Sequence, residues 1–96
     1  MLENLIDISR EQLLFAALRL KHEKYRLISI TCVKEKNNEF SLSYHFDKDY
    51  EIISYRINIF DNQKMPSIAK VFAKSEYIEQ EINYVYGITF EDINDI

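Results

Sequence analysis

Apolar residues first recur at helical spacing. Leu13, Leu14, Ala17, Leu18 and Leu20 cover a wide arc, opposed by Gln12, Arg19 and Glu23, as expected of a helix with one face on a core. Ser9 and Gln12 stand three apart ahead of this run. At that spacing a hydroxyl and an amide satisfy the unpaired N–H groups of a first turn. The pattern predicts a helix over residues 9–24.

The period then drops to two. Ile28, Ile30 and Cys32 alternate with Ser29 and Thr31 inside residues 26–34, the mark of a strand with one buried face. Phe40, Leu42, Tyr44 and Phe46 alternate with Ser41, Ser43, His45 and Asp47 in the cleanest such stretch. Ile53, Tyr55, Ile57 and Ile59 alternate with Ser54, Arg56 and Asn58 as a third strand. Lys36-Asn37-Asn38-Glu39 supplies the first turn, since asparagine tolerates left-handed backbone. Asp47-Lys48-Asp49 is expected to supply the second. Short turns between successive strands imply an antiparallel meander.

Residues 61–65 read as a loop. Pro66 suits the first turn of a short helical segment over residues 67–72, where its missing N–H costs nothing. Ser75 is expected to cap a further helix, with Glu76 and Glu79 near its positive end. Ile78, Ile82, Val85 and Tyr86 form its expected buried stripe, which leaves Tyr77 and Tyr84 on the flank. Gly87, the only glycine, stands where a left-handed residue ends a helix, with Ile88 folding back. Phe90 is expected to open a short edge strand, and the acidic tail 91–96 to fray. The fold class expected is α+β. Residues 1–96 form one domain, a two-layer sandwich with an N-terminal helix, an antiparallel meander of three strands with room for a fourth, and a C-terminal helix.

Composition narrows the function. With 47% apolar residues, including 7 tyrosines and 6 phenylalanines, one small core can be filled. The net charge of −4 and the lack of a basic cluster argue against nucleic-acid binding. No apolar run approaches the ~18 residues of a membrane span, and Met1-Leu2-Glu3-Asn4 does not open like a signal peptide. A cytoplasmic domain is the expectation.

Candidate chemistry is sparse. His22 and His45 share no motif spacing and lack companions for a metal site. Cys32, alternating with Ile30, reads as an inert thiol. Glu79 and Glu81, two apart on a helix, point about 200° from each other and cannot share a small catalytic site. With Glu76 they read most simply as a solvated face. The tyrosine surplus around Tyr77, Tyr84 and Tyr86 favours an interaction surface.

The segment from Pro66 to Phe90 changes the odds. Pro66-Ser67-Ile68, Phe72, Tyr77, Glu79-Gln80-Glu81, Tyr86-Gly87-Ile88 and Phe90 resemble the signature of the 30-kDa, or C, subunit of respiratory complex I. The small relatives of that subunit in energy-converting nickel–iron hydrogenases share it. Gln80 stands where the complex I form has arginine, and Tyr84 where aspartate is usual. The His-Pro-Asp-Leu-Arg-Arg stretch that follows in complex I members does not follow Phe90. The chain looks more like the hydrogenase-type subunit.

The resemblance implies an α+β domain without catalytic residues, cofactor or metal of its own. Its implied partners are a hydrogenase-like large subunit and other subunits of a membrane-associated complex, with no direct membrane insertion. By position, Glu79, Glu81, Tyr84, Tyr86, Gly87 and Phe90 would form or support the partner contact. Two other readings compete. One is a stand-alone interaction module, motivated by Gln80 and Tyr84. The other is a small enzyme using His45 with Asp47 or Asp49, which requires a polar pocket around that histidine.

Overall fold

The computed structural model describes residues 3–92. A strand β1 (Glu3–Asp7) leads through a 3-10 turn (Arg10–Gln12) into helix α1 (Leu13–His22). Strands β2 (Arg26–Lys34), β3 (Glu39–Lys48) and β4 (Glu51–Phe60) follow. Then come β5 (Met65–Pro66), helix α2 (Lys74–Tyr86) and β6 (Phe90–Glu91). The main sheet has the order β1-β4-β3-β2, while β5 and β6 pair separately. The α+β sandwich is as the periodicity predicts.

Strand β1 is the fourth strand, at an edge the sequence pattern does not mark. It runs parallel to β4, with Ile6 opposite Tyr55 and Asp7 opposite Arg56. Five residues with adjacent Leu5 and Ile6 give no clean alternation, because an edge strand half-exposes both faces. Asp7 fixes the register by a two-pronged contact to Arg56 at 2.7 and 3.0 Å.

Helix α1 buries Leu13, Ala17 and Leu20. The helical run covers residues 10–22 between Ser9 and Glu23, close to the expected 9–24; its first turn is 3-10, with the Gln12 Oε1 accepting the Ser9 N–H at 2.8 Å in the expected capping box. Its end is a Schellman closure. Tyr25 N–H donates to the Leu20 carbonyl at 2.9 Å and Lys24 N–H to that of Lys21 at 3.1 Å. Lys24 itself is left-handed, φ 72°, where glycine is the unstrained residue.

In β2 the expected alternation fails at one point. A bulge between Leu27 and Ser29 turns Leu27 inward and leaves Ile28 38% exposed. Ile30 resumes the inward phase. An extra residue in a strand shifts the side-chain period by one.

The first turn falls at Asn37 and Asn38, both left-handed, as expected. The second falls at Asp49 and Tyr50, also left-handed, and not at residues 47–49. Asp47 is a strand residue opposite Arg26, held by two contacts at 3.2 and 3.0 Å.

The core lies between the sheet and the helices. Tyr44 and Phe46, at the centre of β3, are fully buried. Phe46 packs at 5.3 Å from the Phe72 ring and 6.3 Å from Tyr55. Each such ring is worth roughly 1.5–3 kcal/mol in transfer free energy.

Residues 67–72 form one hydrogen-bonded turn on the Ile68 carbonyl, which accepts Val71 and Phe72 N–H, in place of the expected short helix. Pro66 lies in β5. The parallel pair uses the N–H groups of Met65 and Ser67, donated to Thr89 and Glu91 at 2.9 and 2.8 Å. The residue between them faces the other way, so a proline fits there. Of the acidic tail, Glu91 belongs to β6, while residues 93–96, like Met1 and Leu2, lie outside the described residues.

Two stability tests follow from α1 and its exit. Lys24→Gly should raise stability by about 0.5–1 kcal/mol in urea denaturation, by removing left-handed strain. Tyr25 donates its hydroxyl to Glu51 Oε1 at 2.7 Å. That bond, with desolvation second, pushes the phenol up to about 12. The folded state holds a proton that the unfolded chain releases near pH 10. The stabilisation is therefore complete below pH 10 and is lost as pH rises from about 10 to about 12. Denaturation midpoints should fall over that window, and fall less steeply in Tyr25→Phe.

Candidate partner interface

Helix α2 presents two unlike faces. Ser75, Glu79 and Ile82 are its buried residues, four and three apart and hence on one stripe. Ser75 is not the cap. Ala73 occupies that position without a side-chain bond, and Ser75, one residue inside the helix, donates its hydroxyl to Glu79 Oε2 at 2.6 Å.

Glu79 is 5% exposed. Its Oε1 accepts the Ser67 hydroxyl at 2.6 Å, and its Oε2 also accepts the Ile68 N–H at 3.0 Å. The Ser67 oxygen in turn accepts the Ala69 N–H at 3.1 Å. The acidic side chain therefore ties the 67–69 turn to α2. Bonds of this kind contribute about 1.5–3 kcal/mol each when one partner is charged. They are needed, because burying a carboxylate costs several kcal/mol.

Tyr44 stands below, its hydroxyl buried with no hydrogen-bond partner among the described residues. Burial first, then the Glu79 charge and, at the high pH where it ionises, the Cys32 thiolate, hold its phenol well above the usual range. Cys32 is half-buried, and desolvation pushes its thiol up to about 11, so it stays protonated at neutral pH.

The opposite face of α2 is open. Tyr77 is 84% exposed and Tyr84 90%, seven residues apart and on one side of the helix. Glu81 lies between them, exposed, and together with Ile78 and Gln80 they line a shallow depression. Val85, expected to face the sheet, is 62% exposed. The stripe it was assigned to rotates toward Ser75 and Glu79, since the carboxylate and not an aliphatic side chain takes the inward position. Tyr86 sits at the margin, edge-on to Phe40 at 6.1 Å.

Gly87 ends the helix at φ 75°, ψ 13°, with its N–H on the Asn83 carbonyl. A Cβ there would meet nothing within 4 Å, so the glycine serves backbone geometry alone. The reversal is held by Asn83 Nδ2, which donates to the Ile88 carbonyl at 2.9 Å. Ile88 is buried and Phe90 packs partly buried against the core.

The six residues singled out in sequence thus divide. Glu81 and Tyr84 are surface residues, Tyr86 is marginal, Gly87 shapes the chain, and Glu79 and Phe90 lie underneath. Pattern reading missed Phe15, 76% exposed on the outer side of α1 beside half-exposed Leu18. Its position, off the Leu13–Ala17–Leu20 stripe, was the available signal.

The catalytic reading of His45 is not assembled. The histidine alternates with the core residues Tyr44 and Phe46 along β3, with Nδ1 2.7 Å from Ser54 Oγ and Nε2 3.2 Å from Thr31 Oγ1. The Asp47 carboxylate is engaged by Arg26, and Asp49 sits in the turn. Among the described residues no group of three or more His, Cys, Asp or Glu could hold a metal, and no helix is long and apolar enough to cross a membrane.

Glu79→Ala should cost about 3–5 kcal/mol in urea denaturation, because three buried donors lose their acceptor. A loss below ~1 kcal/mol would show that the turn needs no clamp.

No curated protein matches the chain. Residues 6–96 match the family described as respiratory-chain NADH dehydrogenase, 30 kDa subunit. That match takes in the end of β1, strands β2 to β4, the clamped turn and α2, and the chain belongs to this family.

Proposed function

We propose that this protein is a non-catalytic assembly subunit of an energy-converting hydrogenase or a related complex I-like membrane oxidoreductase. It docks on the hydrogenase-like large subunit through the outer face of α2, on the cytoplasmic side. Membership of the family supports a subunit of an oxidoreductase complex. The observation that carries the docking role is the pair of almost fully exposed tyrosines, Tyr77 and Tyr84, on a helix whose other side is locked down. Exposed rings with few rotatable bonds are common interface anchors.

The roles then separate. Tyr77, Glu81 and Tyr84 make the contact, with Tyr86 at its edge. Glu79, Gly87 and Phe90 hold the surface in shape. A stable contact would bury roughly 1,200–2,000 Å² in total, more than α2 alone offers. A stand-alone interaction module is the second reading. What favours it is that Gln80 and Tyr84, the two departures from the signature, are both exposed.

Co-expression with the large subunit encoded beside this chain, followed by pull-down, should recover a complex. Tyr77→Ala/Tyr84→Ala should fold normally and weaken the association by about 2 kcal/mol or more. Failure of the two folded wild-type proteins to associate would leave the stand-alone module.

A further inference from the structure

Cations that stand far apart in sequence are gathered by the fold at the start of α2. The end of α1, the first residues of β2 and the entry to α2 surround an open cavity of about 540 Å³. Its floor is apolar, made of the buried residues Tyr25, Leu27 and Phe72, with Ile28 at the edge. Its rim carries Lys21, Arg26 and Lys74 against a single carboxylate, Asp47.

Asp47 is already committed to Nε and Nη2 of Arg26, which keeps Nη1 for another acceptor. Lys21 is held differently. Its Nζ lies 5.2 Å from the centre of the Phe72 ring, an attraction that fixes the ammonium at the rim without cancelling its charge. Among the described residues neither Lys21 nor Lys74 makes an ion pair with a carboxylate. Lys48 stands over the Tyr25 ring at 5.8 Å, and Glu51 faces it across the β3–β4 ladder, so that pair leaves the balance unchanged. The groove is therefore positive on a chain whose net charge is −4. Positive walls around an apolar floor attract an anion that carries an apolar body.

Lys74 joins this groove to the docking helix. Tyr77, Glu81 and Tyr84 follow it at intervals of three, four and three residues, so the four share one side of α2. We propose that the groove receives an acidic side chain, a glutamate or aspartate beside an apolar residue, from the partner protein that covers the tyrosines. This rests on the docking reading above and names the chemistry of the partner segment at the first turn of α2. The carboxylate meets Lys21, Lys74 and the open Nη1 of Arg26, while its apolar neighbour lies on Leu27, Ile28 and Phe72. A flat anionic membrane would meet the lysines and leave that floor unfilled.

The probe is acetyl-Leu-Glu-Leu-amide, titrated at low salt into the isotopically labelled full chain. The amide signals of Ile28, Ala73 and Lys74 should shift in a saturable way. The shifts should vanish when the peptide carries glutamine instead, and likewise with Lys21→Gln/Lys74→Gln in the protein. They should return with Lys21→Arg/Lys74→Arg, which keeps the charge. Both lysines are exposed, so both variants keep the fold. Equal shifts with the glutamine peptide, or shifts spread over the whole surface, would overturn the proposal. Inorganic phosphate that shifts the same amides at lower concentration would assign the groove to a phosphate and overturn it as well. So would phosphatidylglycerol vesicles that sediment the chain but not Lys21→Gln/Lys74→Gln.

In the complex with the large subunit, Lys21→Gln/Lys74→Gln should weaken association about tenfold and flatten its salt dependence, and the arginine pair should restore both. Unchanged association would overturn the groove while leaving docking through the tyrosines intact. If the unmodified chain does not associate at all, the docking reading fails, and the peptide titration still decides the groove by itself.

Discussion

The structure depends on one buried carboxyl group. Glu79 sits where a solvated helix would carry an aliphatic residue, and its two oxygens take hydrogen bonds from Ser67, Ile68 and Ser75. The cost of taking a carboxylate out of water is several kcal/mol. Only a set of pre-placed donors offsets it. Those donors come from two separate segments, so the group joins the 67–69 turn to α2 and orients both over the sheet. An aliphatic residue would pack as well and fix much less, because apolar contact has no direction.

This arrangement explains why the signature residues are spaced as they are. Pro66 tolerates the outward side of a two-strand pair, Ser67 and Ile68 offer the donors, and Glu79 accepts them. Gly87 then turns the chain so that Phe90 returns beside Met65. Much of what reads in sequence as a docking motif serves as internal scaffold. Tyr77, Glu81 and Tyr84 lie exposed on the other side of the same helix.

The sheet was legible where alternation was clean. Strands β3 and β4 follow their two-residue period over most of their length, broken where Ser41 and Ser54 are buried as well, and paired asparagines announce the first turn. The reading failed where a side chain's partner lies far along the chain. Asp47 looks like a turn residue until Arg26 is opposite it, and Ser75 looks like a cap until Glu79 lies one turn below. The bulge at Ile28 leaves no local trace, since Leu27 and Ile28 are equally apolar. Likewise Glu79 and Glu81 are the same residue type on the same helix. Only the placement of the 67–69 turn makes one a buried clamp and the other a surface group.

The parallel pairing of β1 with β4 has a consequence for synthesis. Asp7 meets Arg56 across a span of 49 residues, whereas β2, β3 and β4 meet their neighbours through short reversals. Closing so long a loop is slow relative to zipping a hairpin. During synthesis β1 emerges well before β4, its ladder partner among the described residues, so that edge is sealed only once β4 has been made. Until β1 pairs with it, β4 presents an unpaired border.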